Sequence, residues 1–469
     1  MTPDIAEPPS EASSQRPHRR EARGERRARQ LSQALNPFDG VPPPVPVRQR
    51  PALDEPVTPA QERAMRNLWW DGFFAESSET IWLQYFALYA LAFGAETWLI
   101  GLLSAVGGLL AAASMWPGAH VAERTRRYKR IVLLTGGSAG RLLFLVLAAV
   151  PWFLSDGAAL GALVAVAMGR GFFGSVAMPA WSAFAAEFVP PGLRGRYFGS
   201  RNFARQVAGL VVAPLAGLLI HRVGGLEGWQ LAWALAFVLG AVATVFYARI
   251  PSEAAVGVRE EPEPLPWGET RAGPLRDPNL LWLTLTLGLF HTSVMLAGPF
   301  FSVYLVTKLD ASVLWVGITA AAVPIGGIVA QPLIGQINDR RGAKWLLVTS
   351  GLLLPLLPWF WMIVTEPWHV IFINLAAGAL WGANLLATFN LTLAISPPDR
   401  RATYSAVQQG AVFIASAVGP LIGGPLIGLA GYRTVFFLSG LGRLIATALL
   451  ARTVQERVAV ATPAPAPAS

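Results

Sequence analysis

Gly335-Gln336-Ile337-Asn338-Asp339-Arg340-Arg341-Gly342-Ala343-Lys344 is a polar island between two long apolar runs. Val316 to Ile334 upstream holds no charge, and neither does Trp345 to Val364 downstream. Each run is about 20 residues long, the length of an α-helix that crosses a bilayer. The island therefore reads as a tight cationic turn between two membrane helices. Gly335 and Gly342 permit close packing and a sharp turn. Asp339 can face the positive N-terminus of a neighbouring helix. Arg340 and Lys344 hold the turn on the cytosolic side.

The rest of the chain agrees with a membrane setting. Hydrophobic residues make up 53% of the 469 and charged residues only 14%. Two or three soluble domains of this length would carry more charge. With no cysteine, disulfides and thiolate-bound metals are excluded. No apolar h-region opens the sequence, so no cleavable signal peptide is expected. The net charge of +9 does not point to nucleic acid, because the cations gather in alternate short loops. Arginine far outnumbers lysine, which occurs only at Lys129, Lys308 and Lys344. With the excess of Ala and Gly, this points to a bacterial source.

Residues 1–65 are rich in Pro, Glu, Ser and Arg and read as an unstructured cytoplasmic tail. Its basic run, Arg16 to Arg29, reads as a solvated face or as a contact for anionic lipid heads. Twelve candidate spans follow, at about 72–93, 98–119, 131–153, 158–185, 201–221, 228–249, 279–305, 313–334, 345–364, 368–393, 405–429 and 432–452. They group into bundles over 66–250 and 278–453, with a Pro- and Glu-rich linker at 251–277 and a tail at 454–469. The even connections carry Arg124, Arg126, Arg127, Lys129 and Arg130, then Arg194 and Arg196, then Arg249, Arg259, Arg271 and Arg276, then Arg340, Arg341 and Lys344, then Arg400 and Arg401. The odd connections carry only Arg222, Lys308 and Arg433. This bias places both termini in the cytoplasm.

The two bundles repeat one another. Adding 216 to a residue number carries Glu123-Arg124 onto Asp339-Arg340, Gly101 onto Gly317 and Gly72 onto Gly288. Adding 207 carries Pro190-Pro191 onto Pro397-Pro398, Arg194 onto Arg401 and Tyr197 onto Tyr404. An even number of helices per repeat keeps both copies in the same orientation. The polar island, G-x-x-x-D-R-x-G-x-K, resembles the signature loop of the major facilitator superfamily. The first-half copy departs from it: Ala119 stands for the first Gly, Glu123 for Asp and Arg126 for the second Gly. The resemblance implies an all-α polytopic membrane protein of twelve helices in two parallel-repeat six-helix bundles. It also implies that the loops latch one conformational state. Asp339 would then meet the start of the eleventh span near Thr403, with Arg400 or Arg401 close by. Glu123 would reach Arg194 or Arg196.

Charges inside the spans are the candidates for chemistry. Arg170 lies near the middle of the fourth span, in Met168-Gly169-Arg170-Gly171-Phe172-Phe173-Gly174. A charge there costs about 2.5–3.5 kcal/mol on insertion scales, so it faces the bundle interior or a wet cavity. R-x-x-x-G at this place resembles a family motif linked with proton coupling, with Phe173 where Gln is usual. The other reading of Arg170 is a structural ion pair with Glu76 or Glu79. Those two carboxylates lie three residues apart on one face of the first span. Burial favours a neutral carboxyl and a nearby cation favours a charged one, so such a pair can exchange protons as access alternates. Glu76, like Asp71, also reads as interfacial. His291 in the seventh span is a further candidate, against the plainer reading of a hydrogen-bonded core histidine.

The fifth span contains Gly209-x-x-x-Ala213-Pro214-x-x-Gly217-Leu218 and the eleventh Ala415-x-x-x-Gly419-Pro420-x-x-Gly423-Gly424. Small residues at these spacings bring helices close, and each Pro bends its helix. The pattern resembles the antiporter motif of drug-exporting family members, degraded in the fifth span and better kept in the eleventh. Trp82, Tyr85, Tyr89, Phe300, Phe301 and Tyr304 either line a central cavity or pack as core. No phosphate-cradling loop, no metal-ligand spacing and no nucleophile–base set is present, so no enzyme, cofactor or metal is expected. The expected protein is a monomeric secondary carrier in the inner membrane. Its partners would be the lipid bilayer, a small organic substrate and protons, with Glu76, Glu79 and Arg170 in the coupling. Export is favoured on the antiporter-like motif alone. The alternatives are an uptake carrier for a sugar or metabolite, and a sensor or scaffold that kept the fold without transport.

Overall fold

A computed structural model describes residues 57–190, 193–251, 276–397 and 401–455. All regular structure among them is helical. The first helix, α1 (Pro59–Ala92), begins inside the stretch expected to be an unstructured tail. Thr58 Oγ1 accepts from the Gln61 N–H at 3.2 Å, and Gln61 Oε1 accepts from the Thr58 N–H at 2.9 Å. This reciprocal cap, with Pro59 at the first helical position, starts the helix there. The tail boundary at 65 is thus corrected to 58, and residues 1–56 lie outside the described residues.

The first half continues with α2 (Thr97–Thr125), α3 (Tyr128–Phe153), α4 (Asp156–Phe188), α5 (Arg194–Val223) and α6 (Gly225–Ala248). The second half holds α7 (Pro278–Thr307), α8 (Val313–Arg341), α9 (Ala343–Trp361) and α10 (His369–Ile395). A last helical run, Arg401–Thr453, changes direction at Gly431, whose φ is 79°. It is therefore two helices, α11 over 401–430 and α12 over 432–453. Ten runs are long and apolar enough to cross a membrane. Splitting the last run at Gly431 makes eleven, and α1, long but charged, makes twelve among the described residues. Large apolar side chains such as Leu83, Val238, Val329, Leu385 and Leu429 point outward, as a lipid-facing surface requires. The chain is a multi-pass membrane protein.

The repeat is visible in the backbone. Gly224 and Gly431, 207 residues apart, have φ of 72° and 79° where α5 meets α6 and α11 meets α12. Arg126 and Gly342, 216 apart, have φ of 52° and 82° at the two polar loops. Each donates its N–H at 2.9 Å to a carbonyl four residues back, Ala122 and Asn338, closing the preceding helix in the same way.

The core shows how the halves meet. One apolar cluster draws on both, from the end of α1 (Tyr85, Tyr89) and the start of α6 (Trp233) to the end of α7 (Phe300, Tyr304) and the start of α12 (Phe436). These positions all lie at the face opposite the chain termini. At the terminus-bearing face the cores are separate. One comprises first-half residues such as Leu68, Phe188 and Tyr247, the other second-half residues such as Leu283, Leu347 and Ile395. Among the described residues the halves therefore share an apolar core at one face and have separate cores at the other. Their junction is built of small residues. A Cβ on Gly101 of α2 would strike the Pro420 carbonyl of α11, and one on Gly317 of α8 would lie 2.8 Å from Pro214 Cα of α5. Thr97 Oγ1 donates to the Gly424 carbonyl across the junction at 3.1 Å.

Candidate functional site

Three acidic side chains of α1 meet arginines from other helices. Asp71 accepts from Arg201 of α5, Oδ2 to Nη2 at 3.2 Å. Glu76 accepts from Arg205 of α5, with Nε at 2.8 Å and a closer contact from Nη2. Arg201 and Arg205 are four residues apart, so they share a helix face and form two rungs between α5 and α1. Glu79 is held from two sides. Arg141 Nη1 of α3 donates to Oε1 at 2.8 Å, and Arg170 Nη2 of α4 donates to both oxygens at 2.6 and 2.5 Å. Glu79 thus ties three helices together.

The surroundings hold these guanidiniums in place. Arg170 Nη1 donates to the Gly140 carbonyl at 3.1 Å, and its guanidinium lies 4.3 Å from the Phe144 ring centre and 5.2 Å from that of Trp82. Such cation–π contacts replace part of the lost hydration. Arg201 donates from Nε to the Leu68 carbonyl at 3.0 Å and lies over Trp181. Glycines clear their paths. A Cβ on Gly72 would lie 2.6 Å from Arg201 Nε, and one on Gly240 would lie 2.6 Å from Arg141 Cδ. Just before Arg141, α3 widens into a π-helical segment, Leu133–Ala139, and Thr244 Oγ1 donates to the Gly137 carbonyl there at 2.8 Å. A π segment rotates the residues on its C-terminal side about the helix axis, and here it re-aims Arg141.

These groups wall a cavity of about 300 Å³ inside the first half. Three carboxylates (Asp71, Glu76, Glu79) and four guanidiniums (Arg141, Arg170, Arg201, Arg205) line it, so cations exceed anions by one. A second cavity, about 340 Å³, lies mainly in the second half. Its wall is apolar and aromatic, with Phe301, Trp361 and Trp381, and Gln84 of α1 reaches it from the other half. Its one charged lining residue is Arg443 of α12.

The expected site residues therefore divide. Glu76, Glu79 and Arg170 come together in the first-half cavity. Both readings of Arg170 describe its placement, since it is paired with Glu79 and lines that cavity. Asp71 is a buried rung rather than an interfacial group. His291 stands apart in the second half, with its ring centre 6.3 Å from that of Trp381, and among the described residues it makes no hydrogen bond. Tyr85, Tyr89 and Phe300 are core, while Phe301 lines the second-half cavity.

The loop residues Arg124 and Arg340 are exposed, and Gly335 and Gly342 are partly so. Lys344 begins α9. The side chains of Glu123 and Asp339, with Arg400, Arg401 and Thr403, lie outside the described residues. The packing residues sit at close approaches. Gly209 faces Thr80, Gly217 faces the Tyr85 hydroxyl and Val313, and Gly419 and Gly423 face Thr292 and Leu296 of α7. Pro214 and Pro420 face Gly317 and Gly101 across the junction, and Gly424 faces Thr97 and Trp98.

Four functional candidates escaped sequence reasoning: Arg141, Arg201, Arg205 and Arg443. Arg141 and Arg443 each lie within an apolar run that a single arginine barely perturbs, and Arg201 and Arg205 follow Arg194 and Arg196 at the cationic start of α5, where they read as more loop charge. Counting every ionisable residue inside the spans, rather than only those in the loops, would have found them.

Comparison with known proteins bears on most of the chain. The family profile described as Major Facilitator Superfamily matches residues 138–296 and 283–468. A protein of Dickeya zeae called multidrug resistance protein MdtG is 28% identical over 37% of this chain and 43% of its own length. The Staphyloferrin B transporter of Staphylococcus aureus is 27% identical over 33% of this chain and 38% of its own length. The MdtG of Citrobacter koseri is 26% identical over 69% of this chain and 77% of its own length. The chain thus spans under half of the first two relatives and about three quarters of the third. Among solved structures, a nucleoside transporter NupG mutant superposes over 82% of this chain and 98% of its own, with TM-score 0.68 and 13% identity. A bacterial homologue of the lysosomal transporter Spinster, solved inward-facing and unoccupied, gives TM-score 0.66 at 17% identity over 84% of this chain and 97% of its own. At such identity these two structures speak to the fold alone.

Proposed function

The chain belongs to the major facilitator superfamily, and from that premise we propose that it is a proton-driven exporter of a small organic solute, working by alternating access from the bacterial inner membrane. The observation that carries this reading is Glu79, a carboxylate clamped by Arg141 and Arg170 at the wall of a cavity. A proton arriving on Glu79 removes the one negative charge that faces both guanidiniums. The contact joining α1, α3 and α4 then loses its electrostatic basis, and the helices are free to shift. Departure of the proton restores the clamp. Proton occupancy is in this way tied to two arrangements of the first half, which is what coupling requires.

The halves then rock about the small-residue junction of α2 with α11 and α5 with α8. With both termini in the cytoplasm, the state described here is closed outward and divided inward. The polar loops around Arg124 and Arg340 lie at the divided face, where Glu123, Asp339, Gly335, Gly342 and Lys344 would latch the opposite state. Export is supported by the name multidrug resistance protein borne by several relatives and by the antiporter-like pattern of α5 and α11. Uptake is the second reading, and the direction of solute movement relative to an imposed proton gradient separates the two.

The test is flux in sealed vesicles holding the purified protein, with an imposed pH gradient and a panel of labelled organic solutes. The reading expects solute movement against its own gradient, opposite to the proton flow. Solute that moves with the protons would replace export by uptake. Indifference of every solute to the gradient would remove proton coupling.

A further inference from the structure

We propose that Arg443 is the anchor of an anion-binding subsite in the second-half cavity, so that the solute carries a carboxylate or comparable anionic group on an apolar, aromatic body. This inference rests on the carrier reading above and specifies its substrate class.

The argument starts from an imbalance. Arg443 is only 2% exposed, yet no carboxylate contacts it among the described residues. Its guanidinium donates from Nη1 to the Leu354 carbonyl at 3.2 Å and from Nη2 to Ser439 Oγ at 3.1 Å. Its Nε is buried and has no acceptor, as is also true of Arg141 and Arg170, so the missing carboxylate is what sets Arg443 apart. Every cation of the first-half cavity shows the contrast, since each of those four arginines meets a carboxylate. A buried charge is ordinarily paired, and one inside a membrane protein faces a cavity or a partner charge. Arg443 has the cavity, about 340 Å³ in volume, and among the described residues no carboxylate supplies the partner charge.

The remaining wall specifies the rest of the ligand. Trp361, Trp381 and Phe301 offer faces to an aromatic or aliphatic body. Asn374, whose Nδ2 is already committed to the Thr319 carbonyl at 2.8 Å, and Gln84 supply amide oxygens for a donor on that body. A ligand that brings its own negative charge compensates the guanidinium. A charge-assisted contact of this kind gives discrimination of about tenfold or more over a neutral analogue. A cationic solute would instead add to the imbalance.

The experiment uses the full chain in lipid vesicles and reads tryptophan fluorescence on titration with 1-naphthoate and with its uncharged analogue 1-naphthamide. The expected result is that naphthoate binds about tenfold or more tightly than the amide. Arg443→Gln should abolish that preference, and Arg443→Lys should retain part of it. Equal affinity for the two probes in the parent protein overturns the proposal. So does a preference for naphthoate that persists in Arg443→Gln. The parent-protein comparison stands even where a variant fails to fold. Flux in the same vesicles keeps the two readings apart. Gradient-driven movement of solutes regardless of charge sinks the anion site and spares the carrier. Charge-selective, Arg443-dependent binding without any movement does the reverse.

Discussion

The two halves share a backbone plan and use opposite electrostatics. The first half gathers seven charged side chains around one cavity, and its carboxylates and guanidiniums meet. The second half lines its cavity with tryptophans and, among the described residues, leaves one guanidinium without a counter-charge. The same six-helix frame thus hosts a closed electrostatic circuit on one side and an open one on the other. A closed circuit can be broken and remade by a proton. An open one awaits a charge from outside. The difference teaches that symmetry of fold does not require symmetry of chemistry, and the function proposed above assigns coupling and solute recognition to different halves.

The comparison can be broken most forcefully at Glu79. Truncation by Glu79→Ala leaves Arg141 and Arg170 buried and unpaired, with an expected loss of about 3 kcal/mol in stability. Resistance to unfolding by SDS, followed through helix content, would register it. A loss below about 1 kcal/mol would mean that water already screens the clamp.

Next in size is a difference between the two polar loops. Gly342 has φ 82° and ψ 164°, a region that essentially only glycine occupies, and Gly342→Ala should cost about 2 kcal/mol. Its repeat mate Arg126 has φ 52° and ψ 16°, which a side chain tolerates at modest cost. Arg126→Gly should therefore change stability by no more than about 1 kcal/mol. Equal sensitivity at both positions would erase the contrast between a glycine-dependent loop and its substitute.

The smallest of these effects should have the opposite sign. Arg443→Gln removes a buried charge that lacks a partner, so the unliganded protein should gain about 1 kcal/mol or more. A loss of stability in the same SDS assay would show that the hydrogen bonds to Leu354 and Ser439 outweigh the uncompensated charge.

Much of this was legible in the chain itself. The polar island at 335–344 and its copy near Glu123 announced the repeat, because loop charges at a fixed offset rarely coincide by chance. Long apolar runs located most of the helices, while α1, α5 and α8 extend past their runs into charged sequence at the terminus-bearing face. Gly431, beside the gap between the last two runs, separates α11 from α12 as that gap implied. The start of α1 was also written in Thr58-Pro59-Ala60-Gln61, a capping signal obscured by the low-complexity stretch before it. What could not be read was which helix faces which. Glu79 has one neighbour three residues away in sequence and two partners 62 and 91 residues away. Pairing of that kind depends on helix rotation, and the π-helical segment before Arg141 alters that rotation without any mark in Leu133-Leu-Thr-Gly-Gly-Ser-Ala139. Arg443 escaped because one cation in an apolar run looks like any other until its missing counter-charge is seen in three dimensions.

The most direct measurement separates solute exchange from gradient-driven flux in Glu79→Gln. Exchange of labelled for unlabelled solute across the vesicle needs the moving halves and the binding cavity, but no net proton transfer. The account predicts that Glu79→Gln keeps exchange and loses accumulation driven by a pH gradient. Accumulation at the parent level in that variant would contradict it.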